Sequence, residues 1–199
     1  MNMEAERTGR ALRLTGETDI DISVDIDGSG NYDLDSGIPF FDHMLSMIAK
    51  HGMMDLAVSC KGDLEVDDHH TVEDVGIAFG EAFKEALGDK RGITRYATTF
   101  LPMDESLVMV SLDLSGRPFL VYDVPLVEQF TGTFDAQLIE EFMRAFAFAA
   151  GITLHVRLIY GKNTHHIVEA AMKALGRALD SATRKDERID GVPSTKGVL

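Results

Sequence analysis

The chain of 199 residues is 45% hydrophobic and 26% charged, ordinary values for a soluble protein with one sizeable domain or two small, packed ones. Its 33 acidic against 19 basic side chains leave a net charge of −14, which speaks against general nucleic-acid binding and requires any anionic substrate to find its cations gathered locally. No apolar run approaches the roughly 18 residues that cross a bilayer, the opening "MNMEAERTGR" lacks the apolar centre of a secretion signal, and the lone cysteine, Cys60, reads as a buried thiol, so a cytoplasmic setting away from membranes is expected.

Residues 10–26 alternate apolar and polar in their second half, as a half-buried strand does. "DGSG" at 27–30 reads as a hairpin-type turn, with "NYDLD" as the returning strand. Residues 40–52 read as a helix ended by Gly52, "DLAVSCKG" as a strand, and His69 to Leu87 as a helix stopped by Gly88. The first half is then β-β-α-β-α. In the second half "TRYATTFLP", "LVMVSLDLSG" and "PFLVYDV" read as strands, "DAQLIEEFMRAFAFAAG" as a helix, "ITLHVRLIYG" as a strand, and His165 to about Ala182 as a helix before a polar tail.

"HHTVEDVGIAFGEAF" from His69 and "HHIVEAAMKALGRAL" from His165 share both histidines, Val72/Val168, Glu73/Glu169, Ala78/Ala174, Gly80/Gly176 and Ala82/Ala178. An internal duplication follows, with half-repeats at 1–92 and 93–199 forming one pseudo-symmetric α+β unit of ββαβα type. The small residues at 78, 80, 82 and at 174, 176, 178 predict closely packed helices with the sheets outside.

His69 and Glu73, like His165 and Glu169, lie four residues apart on one helix face, where they can share a metal ion. His70 and His166 lie about 100° further round the helix, better placed for an ion held mainly by the other half. His43 in "FDHM" and His155 in "TLHVRL" complete the candidate donors, and His51 in "AKHGMM" is either a helix-end residue or part of the site. Imidazole with carboxylate suits manganese, iron or zinc better than calcium. A single histidine is more often an ordinary core or surface residue; the duplicated set is not. Di-iron carboxylate bundles use the opposite Glu-x-x-His order, which disfavours them here.

Lys173 shares the face of Glu169, whereas its counterpart in the first repeat is Ile77, so the halves match at the metal and differ beside it. Arg95, Arg117 and the "STKG" at 194–197, with Ser194 and Lys196, add groups suited to a phosphate.

"GIPFFDHML", "GDLEVDDHHTVEDVGIAFGEAF", "LDLSGRPFLVYDV", "HVRLIYGKNTHHIVEAAMKAL" and "STKGVL" closely resemble the imidazoleglycerol-phosphate dehydratases of histidine biosynthesis, over nearly the whole chain. "TRYA" and "SGIPFF" are small departures that remove no metal or phosphate residue. The resemblance implies helices sandwiched between two four-stranded sheets, and homo-oligomeric shells of 24 subunits built from trimers, with active sites between subunits. It implies two manganese ions per site, one on His69, Glu73, His155 and His166, the other on His43, His70, His165 and Glu169. It implies phosphate contacts from Arg95, Arg117, Lys173, Ser194 and Lys196, and acid–base work by Glu17, with His51 and Asp104 as weaker candidates. The implied substrate is an imidazole carrying a glycerol phosphate chain. Dehydration must remove an unactivated C–H proton beside the ring, with no carbonyl to stabilise the charge. A metal-held imidazolate would expel the hydroxyl through a diazafulvene-like intermediate. Two other classes fit the residues less well: a binuclear metallohydrolase of a phosphate ester, and a non-catalytic metal- or phosphate-binding shell protein.

Overall fold

β1 (Thr8–Leu14) and β2 (Thr18–Asp25) form an antiparallel hairpin that pairs Thr8 with Asp25 and Leu14 with Asp19. Ile20, Ile22 and Val24 alternate inward on β2, which fixes its register because a one-residue slip would expose all three. The computed structural model describes residues 6–199; residues 1–5, part of the stretch read above as lacking a secretion signal, lie outside them. The run at 10–26 is therefore two strands broken at Thr15–Glu17, and the first half runs β-β-β-α-β-α where β-β-α-β-α was expected.

β3 (Tyr32–Asp35) departs further from expectation. It does not return along β2; it crosses to the far edge and pairs in parallel with β4 (Asp55–Gly62). The Asp55 carboxylate draws the chain over, accepting from the Ser29 and Asn31 amides at 2.8 and 2.9 Å. Between β3 and β4 runs α1 (Pro39–Gly52), and after β4 comes α2 (His69–Leu87). The second half repeats the plan with β5 (Tyr96–Met103), β6 (Ser106–Asp113), β7 (Phe119–Asp123), α3 (Leu138–Ala150), β10 (Thr153–Tyr160) and α4 (Thr164–Thr183). A small unforeseen hairpin, β8 (Phe130–Thr131) with β9 (Phe134–Asp135), is inserted before α3. The two four-stranded sheets have equivalent orders, β1-β2-β4-β3 and β5-β6-β10-β7.

The helices lie between the sheets, α2 against α3 and α1 against α4, so each contact joins one half to the other. The shared small residues explain the closeness. A Cβ on Gly80 would stand 2.7 Å from the Phe146 carbonyl oxygen, and one on Gly176 2.6 Å from that of Ile48. Gly52 serves the same approach from the α1 side, with Gly176 3.1 Å from its would-be Cβ; Met53, at φ 53°, takes the left-handed stop instead. Phe41, Phe79, Phe83, Phe142 and Phe146 fill the space between the helix layers, each fully buried and each contributing about 1.5–3 kcal/mol of hydrophobic stabilisation. No helix among the described residues is long and apolar enough to cross a membrane.

Candidate active site

α4 begins at Thr164, where the Asn163 side chain accepts from the His166 amide at 3.3 Å and caps the first turn. His165 and Glu169 follow one turn apart, and α1, held close by Gly52 and Gly176, brings His43 to them. Glu169 stands 3.1 Å from His165 Nε2 and 3.4 Å from His43 Nε2, while its other oxygen accepts from Lys173 Nζ at 2.6 Å. Burial pushes the Glu169 carboxyl up, but the hydrogen bond and charge of Lys173 outweigh it, so the group stays below its ordinary value. The three donor atoms of His43, His165 and Glu169 lie within 4.8 Å of one another. Neighbouring donors about 2.1 Å from one ion stand roughly 3.0–3.4 Å apart, and the Glu169 oxygen at 3.1 and 3.4 Å from the two imidazoles matches that spacing, so the trio could hold a transition metal. His51, in the last turn of α1, is held below its ordinary pKa by burial and then by the charges of Lys173 and Arg177.

A second group gathers at the start of α2. His69 Nε2 lies 3.7 Å from Glu73. The His70 ring faces away from it, the two rings meeting at 83°. His70 donates through Nδ1 to Asp63 at 3.0 Å, and its Nε2 lies 3.7 Å from Glu17. Glu17 sits on the β1–β2 turn. That turn is fastened by the buried Asp74, which accepts from the Thr18 hydroxyl at 2.5 Å and pairs with Arg13 at 2.9 Å.

His166 repeats the pattern of His70. Its Nδ1 donates to Glu105 at 2.7 Å and its Nε2 lies 3.9 Å from Asp104, an exposed residue at φ 47° on the β5–β6 turn. These carboxylates hold both imidazoles above their ordinary pKa, Asp63 acting on His70 and Glu105 on His166. Glu105 itself is held well below the carboxylate range, first by His166 and then by the Asn163 amide. Neither Asp63 nor Glu105 stood out in the sequence. The signal they carry is three-dimensional, a carboxylate one loop away from a histidine.

Arg95, Arg117, Ser194 and Lys196 line one cleft of about 700 Å³ with Tyr96 and Pro193. Arg95 grips Asp113 at 2.7 and 3.1 Å and donates to the Pro193 carbonyl at 2.7 Å, so it fastens the tail to the cleft. Its guanidinium also lies 4.4 Å over the Tyr96 ring. Lys173 is not in this cleft. It sits beside Glu169, so the expected five phosphate groups do not converge within one chain. Nor do the two expected metal sets. His155 is exposed on the outer face of the second sheet, opposite Ser111 and Val121, because alternation along β10 turns Leu154 and Val156 inward. His69 and Glu73 thus lack His155 and His166 nearby, and His43, His165 and Glu169 lack His70.

Comparison with known proteins identifies relatives of the chain. Residues 36–179 match the family described as imidazoleglycerol-phosphate dehydratase. Proteins of that name from Caldanaerobacter subterraneus subsp. tengcongensis and Acetivibrio thermocellus are each 61% identical, over 97% and 98% of this chain and 100% of their own lengths. Among solved structures, the Staphylococcus aureus enzyme superposes with a TM-score of 0.82 at 38% identity, covering 90% of this chain and 99% of that one. The Pyrococcus furiosus enzyme, in complex with (S)-C348, gives the same TM-score and identity over 96% and 99%.

Proposed function

The chain belongs to the imidazoleglycerol-phosphate dehydratase family, hydro-lyases of histidine biosynthesis, and from that premise we propose that it dehydrates D-erythro-imidazoleglycerol phosphate to imidazole acetol phosphate with two manganese ions per active site. The observation that carries this is the pair of incomplete donor sets, His43–His165–Glu169 and His69–Glu73, each short of the partners it needs within one chain. Copies of the chain that exchange His70, His155 and His166 would complete both. A homo-oligomeric shell of 24 subunits assembled from trimers is the arrangement we propose for that exchange. The buried Cys60 accords with the reducing cytoplasm we propose as its setting.

Two ions held by these histidines and glutamates would supply Lewis acidity toward the substrate's imidazole and a template for its orientation. The residues do the rest. Glu17, whose carboxylate makes no hydrogen bond among the described residues, takes the proton from the carbon beside the ring or returns one to the departing hydroxyl. Asp104, exposed near His166, and His51, whose pKa is lowered by burial and by the charges of Lys173 and Arg177, are the secondary candidates. Arg95, Arg117, Ser194 and Lys196 hold the phosphate at one end, and Lys173 offers a charge at the metal end.

Purified protein, stripped by chelator and reloaded with manganese, is expected to convert imidazoleglycerol phosphate to imidazole acetol phosphate only in the reloaded state. Release of inorganic phosphate instead would favour a phosphate-ester hydrolase. Absence of either product, with manganese bound, would overturn the assignment. The assembly is checked separately by measuring particle mass with and without the metal.

A further inference from the structure

In each half the two adjacent histidines are treated differently. His69 and His165 turn Nε2 toward the glutamate of their own helix, at 3.7 and 3.1 Å. His70 and His166 are instead gripped at Nδ1 by a carboxylate from outside the helix, Asp63 at 3.0 Å and Glu105 at 2.7 Å. Resting on the manganese reading above, we propose that Asp63 and Glu105 are positioning residues for the metal site. Each fixes the ring and the Nδ1–H tautomer of its histidine, so that Nε2 alone is presented to an ion whose other ligands lie elsewhere.

The duplication itself supplies the argument. The first hairpin pairs Thr8 with Asp25 and the second pairs Tyr96 with Asp113. Glu17, just before β2, and Glu105, just before β6, therefore occupy the same place in the two halves. Yet Glu105 holds its histidine and Glu17 does not; in the first half that contact comes from Asp63, in the loop after β4. The same Nδ1 contact is thus reached from two non-equivalent positions, so it is not a by-product of the repeat. A carboxylate at Nδ1 requires the proton there and leaves the Nε2 lone pair free for a metal.

The substitution of Asp63 for Glu105's counterpart also frees Glu17. Glu105 Oε1 accepts from the Lys162 and Asn163 amides at 3.1 and 2.8 Å and from the Ser106 hydroxyl at 3.0 Å. The Ser106 position corresponds to Thr18, whose hydroxyl is turned away to Asp74. Glu17 is left with His70 Nε2 at 3.7 Å as its near neighbour, a carboxylate open to a reacting proton.

Two variants separate this role from a merely structural one. In E105Q the backbone amides keep the side-chain oxygen, so the NH2 group must face His166 Nδ1. That forces the opposite tautomer and places a proton on Nε2. Among the described residues, the only side-chain hydrogen bond lost in D63A is the one to His70. Manganese titration of the intact protein, followed by the electron paramagnetic resonance of the free ion, is expected to show affinity reduced 10–100-fold in each variant. D63N, whose amide oxygen can still accept from Nδ1, is expected to recover most of it. The melting temperature of metal-free D63A should stay near that of the parent. Parent-like manganese affinity in E105Q and D63A would overturn the inference, as would a loss in D63A that D63N fails to recover. A parent protein that bound no manganese would instead overturn the metal reading on which it rests.

Discussion

Replacing Gly176 with alanine sets two effects against each other. Helix propensity alone favours alanine by about 1 kcal/mol at an interior position. Packing opposes it: the new Cβ would stand 2.6 Å from the Ile48 carbonyl oxygen and 3.0 Å from the Gly52 amide, both backbone atoms. Reaching the 3.4 Å of ordinary contact requires about 0.8 Å of separation between α1 and α4. Forcing a methyl into a filled interface costs about 1–3 kcal/mol, and backbone that cannot yield puts this case at the upper end. The net loss is then about 1–2 kcal/mol, or roughly 2–8 °C in melting temperature for a chain of this size. The same wedge carries His43 away from His165 and Glu169, so manganese affinity should fall as well. G80A provides the contrast. Its Cβ would meet the Ala149 Cβ at 2.6 Å and the Phe146 oxygen at 2.7 Å, but α3 carries no candidate ligand. Similar destabilisation with little change at the metal is expected there. Thermal unfolding of metal-free protein and manganese titration test both. A higher melting temperature for G176A would show that propensity wins, and an unstable G176A with parent-like manganese affinity would refute the link between helix packing and the site.

Three further outcomes follow from particular contacts. The amides of Asn31 and Ser29 hold Asp55 below its ordinary carboxyl value of 3.8; its contribution is present above that pH and is lost as pH falls through the folded value, so D55N should flatten the acid limb of the stability curve measured by denaturant titration. Burial, reinforced by Asp74, pushes the Cys60 thiol up to about 11; a thiol reagent at pH 8 should modify the native protein at least about 100-fold more slowly than the unfolded chain, followed by absorbance. Arg95→Ala removes the charged donor to the Pro193 carbonyl; the tail from Pro193 should become more sensitive to protease, and KM for the phosphorylated substrate should rise about tenfold or more in steady-state assays.

The histidine pairs, their glutamates and the Lys173/Ile77 asymmetry were legible because helical spacing is fixed by the chain itself: residues four apart share a face whatever surrounds them. The glycine and alanine positions were legible for a similar reason, since only small side chains permit such helix contacts. The β3 crossing was not. A turn such as "DGSG" looks the same whether the next strand returns beside its neighbour or crosses to the far edge, and the choice rests with Asp55, 24 residues beyond Asn31.

The sequence by itself determined the duplicated two-sheet architecture, the candidate donor residues and the family, since all three are written in local periodicity and in motifs that do not depend on long-range contact. Only the tertiary structure decided which donors meet. It joined His43 to His165 and Glu169, turned His155 out onto a sheet face, gathered Arg95, Arg117 and Lys196 away from Lys173, and gave Asp63 and Glu105 their histidines. Those outcomes depend on which loops close over which helix ends, and loop closure is settled by packing and by hydrogen bonds between residues far apart in the chain.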